Sequence, residues 1–127
     1  MALLLASFST ISVVAKGNTQ GLEEKWDQLV ANYNRQSLTH DNAHHWADVW
    51  LIKNKDASAA DKAKIQKHLE ICNSALAGAT SIVMKHEGFD SGGKVVDKAA
   101  AQKSVKDLNK LLLLHAASVR NLSAHVN

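Results

Sequence analysis

The sequence predicts an all-α protein: a four-helix bundle-like domain built on a long antiparallel heptad hairpin. Three observations carry this expectation. None of the 127 residues is proline, where average usage would place about six. Alanine occurs nineteen times and aromatic residues make up only 5%, which favours helices over a β sandwich or barrel. Two long stretches of the carboxy-terminal half space their apolar residues alternately by four and three, the period of a helix packed against another. The length fits one domain and is short for two.

Residues 1–15 (MALLLASFSTISVVA) carry no charged side chain. A signal peptide would need a basic segment before its apolar run, and none precedes Lys16. A membrane span needs about 20 apolar residues, more than this Ser- and Thr-containing run supplies. On a helix, Leu4, Phe8, Ile11 and Ala15 form one stripe, which fits burial against protein, much of it between chains. Lys16-Gly17-Asn18-Thr19 reads as a break. An apolar arm over 1–17 and a single helical domain over 18–127 are therefore expected.

Thr19 is a candidate cap for a helix over 20–35, with Glu23 and Glu24 in its first turn and a stripe of Leu22, Trp26, Leu29, Val30 and Tyr33. Residues 36–39 read as a link with Thr39 as a second cap. A helix over 40–54 follows, striped by Ala43, Trp46, Ala47, Trp50 and Leu51. Ser58 and Asp61 resemble a capping box and open a helix over 58–87. Its seam is Ile65, Leu69, Cys72, Leu76, Ala79, Val83 and His86. Residues 88–93 read as a turn, with Ser91 as cap. The last helix, about 94–124, repeats the seam with Ala101, Val105, Leu108, Leu112, His115, Val119 and Leu122. A turn near 90 makes residues whose numbers sum to about 180 face each other, setting His115 level with Ile65 and near His68.

Two histidine groups are candidate metal ligands: His40 with His44, one helical turn apart, and His68 with His115 across the hairpin. The competing reading is a polar helix face for the first and a hydrogen-bonded core-edge histidine for the second. The HExxH glutamate is missing, a single cysteine (Cys72) rules out an internal disulfide framework, and no phosphate-binding glycine loop occurs. Cys72 lies in an apolar seam, where a thiol is usually inert. No cofactor is expected. The net charge of +3 falls in residues 56–127, too dilute for a phosphate-tracking surface, so nucleic acid is not expected as a specific partner.

Surplus apolar surface points instead to assembly. Leu4, Phe8, Ile11, Trp46 and Trp50 are candidate interaction residues, and Ser74 and Gly78 mark a small-residue face that admits a close neighbour. The leading expectation is a non-enzymatic structural protein forming a helical homo-oligomer or part of a larger assembly, such as a virus or phage particle or a filament. The alternatives are a helical metal- or ligand-binding protein using the histidines, and an amphipathic protein touching membranes through residues 1–15. An integral multi-span membrane protein is not expected.

Overall fold

The computed structural model describes the backbone of residues 7–126 and the side chains of residues 19–125. Its described residues form three helices: α1 Ser7–Lys53, α2 Ala59–Lys85 and α3 Lys98–Val126. The fold is all-α, with three helices where the sequence pattern suggested four. The two short helices expected over 20–35 and 40–54 are parts of one, because neither break interrupts α1. Gly17 and Asn18 each cost a helix interior only about 1 kcal/mol or less, which neighbouring turns absorb. At the second site Thr39 Oγ1 donates to the Gln36 carbonyl at 3.0 Å, a back-bond inside the helix instead of a cap.

Ser58 caps α2 as its spacing suggests, its side chain accepting the Asp61 N–H at 3.1 Å. His86 ends α2 in the left-handed region, and its N–H donates to the Ile82 carbonyl. The connection to α3 is twice as long as the turn expected over 88–93. Asp97, not Ser91, begins α3, its carboxylate accepting the Ala100 N–H at 3.2 Å. Asp90 Oδ1 organises the loop between, accepting from the Gly92 and Lys94 N–H groups at 2.9 and 3.0 Å. These backbone bonds, the Lys94 one foremost, hold the Asp90 carboxyl below its ordinary pKa. Gly88 sits at φ +89°, where an added Cβ would stand 2.1 Å from the Ala101 nitrogen. Only glycine fits that crossing.

The loop seats on α1. The Trp26 and Phe89 rings stack at 4.5 Å, and Glu23 Oε2 accepts the Val95 N–H at 2.9 Å. α2 and α3 share the largest interface, and α1 packs more on α3 than on α2. α2 and α3 run antiparallel: Gly78 meets Leu111, Ser104 Oγ donates to the Glu87 carbonyl, and Cys72 hydrogen-bonds Ser118. Facing numbers thus sum to about 190 rather than 180, an offset of about ten residues or 15 Å along one helix. The longer loop and the obligatory Gly88–Ala101 crossing set that offset.

The interior divides in two. One apolar cluster, near the loop, joins Trp26, Leu29, Ala79, Phe89, Ala101, Leu108 and Leu112. The other, at the opposite end, joins Ala43, Ala47, Ile65, Leu69, Cys72 and Leu122. Polar side chains of all three helices fill the gap.

Candidate functional site: a histidine layer between two apolar clusters

The residues of the gap follow from the helix period. Along α1, Leu29, Tyr33, Gln36, His40, Ala43 and Ala47 continue one 4-3 stripe, so Gln36 and His40 occupy inward positions that leucine would ordinarily take. Along α3, His115 holds the same kind of position between Leu112 and Leu122. Helix packing therefore drives an amide and two imidazoles into the interior, where each polar atom needs a partner.

They find one another. His115 is fully buried. Its Nδ1–H donates to Gln36 Oε1 at 2.8 Å, and its Nε2 lies 3.0 Å from His40 Nδ1. Gln36 in turn donates to Asn32 Oδ1 at 3.2 Å. The other nitrogen of His40, Nε2, stands 3.1 Å from Asn73 Oδ1 on α2. His44 Nε2 lies 2.7 Å from that same oxygen. One turn toward the loop, the Tyr33 hydroxyl donates to Thr80 Oγ1 at 2.6 Å, and Thr80 donates to the Leu76 carbonyl at 2.8 Å. The network thus runs from the buried face of α3 through α1 to the exposed face of α2.

Its electrostatics disfavour a charge on His115. Burial lowers the pKa of His115, and the neighbouring His40 lowers it further. A proton added to both rings would set two N–H donors head to head across 3.0 Å.

No protein-family model, curated protein or solved structure matches the chain. The reading of the site therefore rests on its own chemistry.

The structure regroups the sequence-predicted residues. His40 and His44 are together, their ring centroids 4.9 Å apart. His115 joins them instead of His68. With facing numbers summing to about 190, His115 lies level with Ala75, and His68 is seven residues, about 10 Å, farther along α2. The His68 ring lies against His125, 5.6 Å between centroids. Its Nδ1 is buried without a hydrogen-bond partner. Burial, then His125 and Lys67, lower its pKa. Among the described residues, no three His, Cys, Asp or Glu side chains converge on a metal position. Gln36 and Asn73, which complete the network, were not among the candidates; Gln36 had a signal, a polar residue breaking an apolar stripe, whereas Asn73 lies on the exposed face of α2 and had none.

The remaining candidates are spread over the molecule. Leu4 lies outside the described residues, as do the side chains of Phe8 and Ile11. Trp50 packs on the second apolar cluster, and Trp46 is half-buried. Gly78 admits Leu111 of this same chain, 3.0 Å from where a Cβ would be. Ser74 is exposed. Burial pushes the Cys72 thiol up to about 11, so it is not a thiolate near neutral pH. On α3, Lys103 donates to Asp107 at 2.6 Å, which lowers the carboxyl pKa and offsets the lysine's charge. No described helix is long and apolar enough to cross a membrane.

Proposed function

We propose that the chain is a non-enzymatic assembly module whose α1 stripe continues into a second copy of itself. The supporting observation is phase. Phe8 precedes Trp26 by 18 residues, and Ile11 precedes Leu29 by the same interval. Eighteen residues are five helical turns, and α1 is one helix across both intervals. Leu4 stands in the same relation to Leu22.

Trp26 and Leu29 bury against α2 and α3. The α2–α3 loop meets α1 at Glu23 and Asp27. From Glu23 back to Ser7 the α1 backbone continues for 16 residues, about 24 Å. A sequence that repeats its apolar residues at that interval calls for an apolar partner surface, and a second α1 offers a matching one.

Light scattering on the full chain at micromolar concentration tests the reading. A dimer or larger closed oligomer is expected, reduced to monomer by the double substitution Phe8→Asp, Ile11→Asp. A monomeric full chain would overturn it. If that monomer binds neutral lipid vesicles, the stripe serves a membrane surface instead.

A further inference from the structure

The histidine layer ends at the surface, where two imidazole nitrogens converge on one amide oxygen. The proton order follows from the buried end. Gln36 Oε1 accepts from His115 Nδ1. In the neutral ring that donates from Nδ1, Nε2 carries a lone pair. That lone pair accepts the N–H of His40 Nδ1 at 3.0 Å. In a neutral His40 ring that donates from Nδ1, Nε2 directs its lone pair at Asn73 Oδ1, 3.1 Å away. Oxygen facing an imidazole lone pair is repulsive unless something positive lies between them.

Three candidate ligand atoms meet there. His40 Nε2 and His44 Nε2 stand 3.1 and 2.7 Å from the one Asn73 oxygen. Neighbouring ligands of an ion with bonds of about 2.0–2.2 Å stand about 2.8–3.1 Å apart at right angles and about 3.3–3.6 Å apart in a tetrahedron. The 3.1 Å spacing thus fits a shared coordination sphere, and the 2.7 Å one must open by a few tenths of an ångström to admit an ion. The i, i+4 placement on α1 lets both rings reach one point. The Nδ1–H of His40 bonded to His115 is the outer hydrogen bond that fixes the ring of a metal-ligating histidine. Both contacts to Asn73 lie at the surface, which leaves a path for an ion and room for water ligands.

We propose that His40 Nε2, His44 Nε2 and Asn73 Oδ1 bind one divalent transition-metal ion, with water completing its sphere. Two imidazoles and one neutral oxygen favour Zn²⁺, Ni²⁺ or Cu²⁺ over Mg²⁺ and Ca²⁺. Ligation by two histidines and an amide also differs from a site of three His, Cys, Asp or Glu side chains, which the described residues do not contain.

Isothermal titration of Zn²⁺ into the metal-free full chain at pH 7.5 tests this. One ion per chain is expected, and no uptake of Mg²⁺ in a parallel titration. His44→Ala should weaken binding at least about tenfold while the circular dichroism spectrum is unchanged. His45→Ala, an exposed neighbour on the same turn, should leave binding intact. Asn73→Asp supplies a carboxylate at the same position and should tighten it, a gain that a misfolded variant cannot give. Absence of saturable binding up to about 1 mM, or binding that survives His44→Ala, overturns the proposal; in that case Asn73 turns its NH2 toward the two rings.

Discussion

At the scale of single residues, His115 carries the most consequence. It is the one fully buried imidazole among the described residues, and it bridges Gln36 and His40. Truncation to alanine opens a cavity and leaves two partners unpaired. His115→Ala is therefore expected to cost about 3 kcal/mol of stability, read as a lowered urea midpoint. A loss under about 1 kcal/mol would mean that water replaces the ring, and the layer would not be the tight junction described. Cys72 illustrates the opposite case. Buried in the second cluster with its thiol pKa raised, it behaves as a small apolar side chain, as its place in the seam suggests.

At the scale of helices and loops, glycine separates two effects. Gly21 lies within α1 with open space where a Cβ would point, so Gly21→Ala should stabilise by about 0.5–1 kcal/mol through helix propensity alone. Gly88 is held at φ +89° against the Ala101 backbone. Gly88→Ala should destabilise by about 2 kcal/mol or more, and thermal melts of the two variants should move in opposite directions. The same contrast explains what the sequence made legible. Stripes with strong burial were readable: Ile65, Leu69, Leu108, Leu112 and Leu122 are all buried as their spacing predicts. So was the Ser58 cap. Weak local signals misled, because Gly17, Thr19 and Thr39 each bias a helix by about 1 kcal/mol, too little to break α1. The offset of α2 against α3 was not readable either. A 4-3 stripe repeats every seven residues and accepts several offsets, and the deciding Gly88–Ala101 crossing involves a backbone approach that no periodicity encodes. For the site, His40 and His44 were visible as a pair, but the partners Gln36, Asn73 and His115 depend on that offset.

At the scale of the whole molecule, the buried histidines tie folding to acidity. His115 and His68 both have pKa values lowered from 6.5, chiefly by burial. The folded chain therefore binds protons less readily there than the unfolded chain. Stability from these groups is complete above about pH 6.5 and declines as pH falls below it, through their depressed folded values. The urea midpoint should be level from pH 7 to 8 and lower at pH 5, with a shallower decline in a His115→Leu variant. A midpoint that rises on acidification would reverse the assigned direction. The polar layer also has a bearing on which of several alignments the chain adopts. Helices with seven-residue periodicity can slide past one another by a heptad and still match apolar to apolar. Sliding α1 by one heptad would bring Tyr33 or Ala47 to the place where His40 now meets His115. A buried imidazole would then lose its bond, at about 1–3 kcal/mol. The layer thus serves as an index mark: two greasy ends supply adhesion without preference, and one hydrophilic stripe tells the long helix where to stop.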